Sequence, residues 1–199
     1  MIRVQGAGFY DGEDLSALQC QDVYRRATRS SILADIAVEK ALQSGRPLGR
    51  LGLVLGTSHG ELERTYDFLK EIYETDTARP LFFQNSLHQA TLGFLTKRHS
   101  IVDTALSLTC GVESGNKALE TAVDILNSNW VDACLVVGVD AYFPIVDLLY
   151  PSGKISEGAG ALLLTKENGV LLSELNLRSN PTGLRNYDSN AIEKLARSL

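Results

Sequence analysis

Two hydrophobic periods alternate along this chain. Predominantly apolar runs without helical period lie near residues 2–8, 50–56, 101–109, 133–139 and 159–165. Short runs of this kind, rich in Val, Ile and Leu, predict strands buried on both faces. Between them, apolar residues recur at three-and-four spacing, which predicts amphipathic helices. The clearest spans Ser30–Gln43, with Ile32, Leu33, Ile36, Ala37, Val38, Ala41 and Leu42 as its stripe, Ser30 or Ser31 as cap and Gly45 as stop. Further helices are expected over Glu61–Glu74, Gln84–Thr96 (opened by Asn85 or Ser86, after a turn at Pro80) and Glu113–Asn127. Tyr142–Tyr150 reads as a loop or short helix. Asn168-Gly169 is a hairpin signal, so the runs before and after it should pair antiparallel, with 170–177 extending the sheet edge. Asn180-Pro181 and Gly183 mark turns, and Ser189–Leu199 a last helix. Such alternation of strand and helix predicts an α/β fold.

The segment Ile101–Asp140 is the clearest unit. A β-rich run ends at Cys110-Gly111, and a helix follows with Ala118, Leu119, Ala122, Ile125 and Leu126 on one side. A strand, Ala133–Val139, closes the unit. Strand, crossover helix and second strand imply parallel pairing. The turn at 110–113 places a helix N-terminus at a strand end, a common position for a nucleophile or a bound anion.

Composition narrows the class. The chain has 199 residues, 44% hydrophobic and 22% charged, with a net charge of −5. That is enough for one well-buried domain, and the negative balance argues against a nucleic-acid partner. There is neither a signal-peptide core in the first residues nor an apolar run of membrane-spanning length. The three cysteines, Cys20, Cys110 and Cys134, have no metal-ligand spacing. The expectation is a reduced, cytoplasmic protein without metal or cofactor.

Four short motifs occur in order: Gly56-Thr57-Ser58-His59-Gly60, Asn85-Ser86-Leu87-His88-Gln89-Ala90, the turn at 110–115, and Ser156-Glu157-Gly158-Ala159-Gly160-Ala161. Together they resemble the N-terminal half of the β-ketoacyl synthases, condensing enzymes of the thiolase superfamily, over roughly Met1 to Leu175. In that family the first strand of this unit ends in Thr-Ala-Cys-x-Ser-Gly, a helix follows, and the second strand ends in Gly-Gly-x-Glu. Here Ser114-Gly115 and Val137-Gly138-Val139-Asp140 stand at those places with no gap between. The nucleophile position is then Val112, and Cys110 lies two residues earlier.

The resemblance implies half of a thiolase-like fold: three layers, α-β-α, around a mixed, mostly parallel five-stranded sheet, as one domain over residues 1–199. It implies biosynthesis of the fatty-acid or polyketide type. The histidines that activate malonyl groups come from the family's second half, near whose start this chain stops. Two readings follow. One is a non-catalytic subunit or scaffold that pairs with itself or with a ketosynthase, with an acyl-carrier protein as a further partner. The other is an active acyl-thioester transferase that uses Cys110, its histidines supplied by a partner chain.

His59, His88 and Ser114 are candidate substrate-binding residues. Glu157, Gly158 and Gly160 form a structural turn in the family, the carboxylate bonding backbone amides. Each candidate also has a plainer reading: Cys110 as a buried small hydrophobe, His59 as an exposed loop donor, His88 as a partly buried satisfied group, and His99 as a surface residue. Glu113 favours the helix dipole and disfavours a nearby thiolate. Lys117, Glu120 and Asp124 form a charged stripe where the absent half would dock. In the family, the strand corresponding to Ile101–Thr109 pairs with its copy across a two-fold axis. Here it is apolar and free of Lys and Pro, which predicts an interface.

Overall fold

A computed structural model describes residues 1–149, 157–167, 169–172, 191–197 and 199. In chain order its elements are β1 (Arg3–Phe9), α1 (Leu15–Gln19), a 3-10 turn (Asp22–Tyr24), α2 (Arg29–Ala41), a 3-10 turn (Leu42–Ser44), β2 (Leu51–Gly56), α3 (Leu62–Thr75), α4 (Pro80–Asn85), α5 (Ala90–Arg98), β3 (Thr104–Leu108), α6 (Ser114–Asn127), β4 (Ala133–Asp140), α7 (Ile145–Leu149), β5 (Gly158–Thr165), β6 (Val170–Leu171) and α8 (Ala191–Arg197).

The strands form one sheet in the order β3-β2-β4-β5-β1-β6. β2 pairs in parallel with β3 and β4, while β5 pairs antiparallel with β4 and β1, and β6 antiparallel with β1. β1 to β4 therefore run one way, and β5 and β6 the other. The expected mixed sheet is present, with a sixth short strand. β2, β4 and β5 are buried along their whole length, as their unbroken apolar runs require. Alternate residues feed two cores. Leu53, Leu55, Leu135, Val137 and Leu163 meet Leu33, Ala34 and Ala37 of α2 and Leu95 of α5. Val54, Cys134, Val136, Leu162 and Leu164 meet Ala118, Ala122 and Leu126 of α6 and Ile192 and Leu195 of α8. Sheet and two helical layers give the α/β sandwich.

Several boundaries differ from the sequence reading. α2 is capped by Thr28, whose hydroxyl accepts from the Ser31 N–H at 3.1 Å. Ser30 and Ser31 lie inside the helix. Pro80 does not begin a turn but stands at the first position of α4, where its missing N–H costs nothing. The expected helix over Gln84–Thr96 is instead two helices, α4 and α5, broken at 86–89. The Asn168-Gly169 signal also fails as a hairpin. The chain passes to the far side of β1, so β5 and β6 flank that strand and do not pair with each other. Gly169 is placed so that a Cβ would meet the Val4 carbonyl oxygen at 2.0 Å. The expected strand beyond 172, the turns at Asn180-Pro181 and Gly183, and the start of the last helix at Ser189 lie outside the described residues.

β3 occupies the sheet edge. Ala105 and Leu106 are exposed and none of its residues is buried. α3 also has no buried residue, and its Phe68 ring packs on Phe83 of α4 at 5.6 Å.

Candidate functional site

Parallel pairing brings the C-terminal ends of β2, β3 and β4 to one rim of the sheet, where ligands bind in open α/β folds. Three turns meet there. The Thr57 N–H donates to the Leu108 carbonyl at 3.1 Å, tying the β2 turn to the end of β3. Gly56 touches the start of α6 so closely that a Cβ would lie 2.5 Å from the Ser114 carbonyl oxygen. The Ser114 hydroxyl is buried. It accepts from the Cys110 N–H at 2.9 Å and lies 2.6 Å from the Gly111 and 3.0 Å from the Thr57 carbonyl oxygens. Its position is that of a bracket joining the turn after β3 to the turn after β2.

Asp140, at the end of β4, completes this junction. Its Oδ1 accepts from the Thr57 hydroxyl at 3.0 Å, the Ser58 N–H at 2.8 Å and the His59 N–H at 3.3 Å. Thr57 in turn accepts from the Gly60 N–H at 2.9 Å, and the Ser58 hydroxyl donates to the Gly111 carbonyl at 2.9 Å. Asp140 is 2% exposed, and its Oδ2 has no hydrogen-bond partner among the described residues. The one sequence signal for this role was an acid closing an otherwise apolar buried strand.

The sequence candidates fall around this rim in different states. Cys110 is exposed. The expectation of a buried small hydrophobe fails because Cys110 lies in the turn beyond the end of β3, at the open edge of the sheet. Val112 is half-buried and carries no nucleophilic atom. His59 is buried rather than an exposed loop donor. His88 is exposed rather than partly buried, and its ring sits against Gly60, where a Cβ would lie 2.1 Å from Nδ1. Gly60 also has a φ of +58°, which suits glycine. Glu157 receives Arg29 through two nitrogens, at 2.5 and 2.6 Å, and accepts the Tyr142 N–H at 3.1 Å. It therefore ties the entry to β5 onto the first residue of α2. Gly158 opens β5 and is buried. Gly160 gives α8 its seat, since a Cβ there would meet the Glu193 backbone at 2.4 Å. Lys117, Glu120 and Asp124 are exposed on α6, with Lys117 and Glu120 paired at 2.6 Å.

Sequence reasoning missed two buried polar clusters. Under the β2 turn, the Glu61 carboxylate accepts from the Thr28 hydroxyl at 2.8 Å and from the Thr91 hydroxyl, and Ser31 links those two hydroxyls. Burial raises the Glu61 carboxyl above its ordinary value, against the pull of the Thr91 and Thr28 hydrogen bonds. A narrow cleft lies beside it, lined by Thr57, Gly60, His88 and Thr91. The second cluster centres on Asp35 of α2, which is wholly buried. It takes the Tyr24 hydroxyl at 2.7 Å, the His99 ring at 2.5 Å and Arg98 at 3.4 Å. His99, expected at the surface, has a side chain only 10% exposed. Burial alone would raise the Asp35 carboxyl. The hydrogen bonds from His99 and Tyr24, with the charges of His99 and Arg98, outweigh it and hold it low. Cys134 is core, its thiol pushed up to about 12 by burial. No cluster of three or more metal-ligating side chains occurs among the described residues.

The family model for the β-ketoacyl synthase N-terminal domain matches residues 13–195. The chain belongs to that family. No curated protein matches it. Among solved structures it is similar to a ketosynthase, ApeO, in complex with its chain length factor, ApeC, from Xenorhabdus doucetiae. That match has 22% identity and a TM-score of 0.64, over 80% of this chain and 63% of that one. It is also similar to the ishigamide ketosynthase/chain length factor, at 20% identity and a TM-score of 0.69, over 78% of this chain and 48% of that one. A third is AntDE:AntF, a type II polyketide synthase acyl-carrier protein in complex with its ketosynthase bound to the hexaketide. There identity is 17% and the TM-score 0.74, over 83% of this chain and 62% of that one. At these identities the likeness is one of fold. The chain spans between about half and two thirds of the length of these relatives. Among the described residues no helix is long and apolar enough to cross a membrane.

Proposed function

We propose that this β-ketoacyl synthase N-terminal domain serves polyketide- or fatty-acid-type biosynthesis as a non-catalytic subunit, working as one cytoplasmic domain that pairs with itself or with a condensing enzyme. The observation that carries this reading is the side chain at the turn between β3 and α6. Counted back from Ser114-Gly115 in the family's Thr-Ala-Cys-x-Ser-Gly pattern, the nucleophile position falls on Val112, and a valine cannot attack a thioester. The same turn is braced by Ser114, Asp140 and Thr57, so it keeps its form without the reactive atom. Pairing is supported by β3, an uncovered edge strand with Leu106 exposed at 38%, and by Val102 just before it, exposed at 89%. A bare apolar edge invites a partner strand. Relatives of the same fold have been solved as a ketosynthase with its chain length factor and as a ketosynthase with an acyl-carrier protein, which names the partners to try first.

One observation favours a second reading. Cys110 is exposed two residues before Val112, within reach of an acyl donor. An active transferase built on it would need histidines from a partner chain.

Incubation with a reactive acyl thioester, followed by intact-mass measurement, separates the two. The expected result is no adduct. A stoichiometric acyl adduct that disappears in Cys110→Ala would overturn the non-catalytic reading.

A further inference from the structure

A half-open groove of about 990 Å3 lies away from the rim, between the 3-10 turn at 22–24 and the α4–α5 corner. That is the size of a small-molecule site. Its walls are tied together where the Asn85 side-chain amide donates to the Arg26 carbonyl at 3.2 Å.

The lining combines two chemistries. Leu81, Leu87 and Phe94 supply an apolar bed. Arg25, Arg26, Lys97 and Arg98 stand around it, against a single acid, Asp22. Arg98 is engaged by Asp35 and Glu39, at 3.4 and 2.7 Å. Arg25, Arg26 and Lys97 form no ion pair among the described residues, and all three are exposed. In a chain of net charge −5, three uncompensated cations around one apolar groove run against the overall balance.

Gly93 adds a separate observation. It sits inside α5 and lines the groove, and a Cβ built on it would meet nothing within 4 Å. Glycine within a helix is less favourable than alanine, and here no neighbour requires it. What its missing side chain leaves open is the groove.

We propose that this groove binds a small organic anion, an apolar chain or ring carrying a phosphate or carboxylate head. The body would lie on Leu81 and Phe94 over Gly93, and the head would meet Arg25, Arg26 and Lys97. Guanidinium groups offer paired donors that match either head. The site is independent of pairing through β3 and of the chemistry at residues 110–112.

Calorimetric titration with octyl phosphate, octanoate, octan-1-ol and inorganic phosphate tests it. Octyl phosphate and octanoate should bind, the tighter of the two naming the head group, while octan-1-ol and inorganic phosphate bind at least tenfold more weakly. Arg26→Glu with Lys97→Glu should weaken octyl phosphate at least tenfold. Gly93→Leu, which fills the groove and favours the helix, should abolish binding while the protein melts no lower than wild type. Equal binding of octan-1-ol or of inorganic phosphate would overturn the proposal. So would undiminished binding by Gly93→Leu, or a change of oligomeric state in that variant with ligand binding intact, which would mark the groove as a protein interface.

Discussion

Glu61 and Asp35 are both buried carboxylates, and their surroundings push them in opposite directions. Glu61 is raised by burial, so the folded chain holds its proton at a pH where the unfolded chain has released it. Stability from this group is therefore present in acid and is lost as pH rises from about 4.3 through the raised value. Glu61→Gln keeps an acceptor for Thr28 and Thr91 without the charge. Its melting temperature should exceed that of wild type at pH 7.5, with the gap closing near pH 4. A shift of roughly 2–4 °C is expected for each kcal/mol gained. Asp35 is held low, so its contribution is present above about pH 3.9 and is lost on acidification. Asp35→Ala should cost about 3–5 kcal/mol at pH 7, because it strands buried His99 and Tyr24 partners. Denaturant melts at pH 7 and pH 3 would show the cost shrinking in acid. Asp140→Ala removes the acceptor for Thr57 and Ser58, and each buried donor left unmade costs about 1–3 kcal/mol. These roles were hard to read beforehand. The partners of Asp35 lie 11 to 64 residues away, and hydrophobic periodicity reports which side faces inward, not which polar atom waits there.

Among the elements, the apolar strands were the most legible. β2, β4 and β5 are buried on both faces, so sequence pattern and environment coincide. α6 was equally plain, with an apolar face inward and its charged stripe outward. Elements whose limits depend on backbone chemistry were read less well. Pro80 can end a turn or begin a helix, and only the packing of α4 on α3 decides which. β6 was assigned to the wrong neighbour because Asn-Gly marks a reversal without naming the strand that receives it. β3 carries a firm test. Leu106→Asp places a charge on the exposed edge and should turn a dimer or heterodimer into monomer while leaving the fold intact. Light scattering of variant and wild type at micromolar concentration reads this out. A wild-type chain that is already a well-behaved monomer would exclude the homodimer and leave only the heteromeric pairing. At the other side of the sheet, Gly160→Val should dislodge α8 from β5 and lower stability by several kcal/mol.

The whole molecule is closed by its first strand. β1 lies between β5 and β6, with Arg3 opposite Thr165 on one side and Leu171 on the other. A chain growing from its N-terminus therefore makes β1 first and can seat it only after β5 has been made. Until then β1 has no sheet to join, and the face of α2 that covers β5 stays bare. Contacts this distant in sequence slow folding, because loop closure comes before any pairing gain. A chain cut at residue 150 should show little protection against hydrogen exchange in β1 or β4, although both strands are complete. In the cell this domain would close only once β5 has left the ribosome, and holding chaperones would meet it before then with β1 and α2 still exposed.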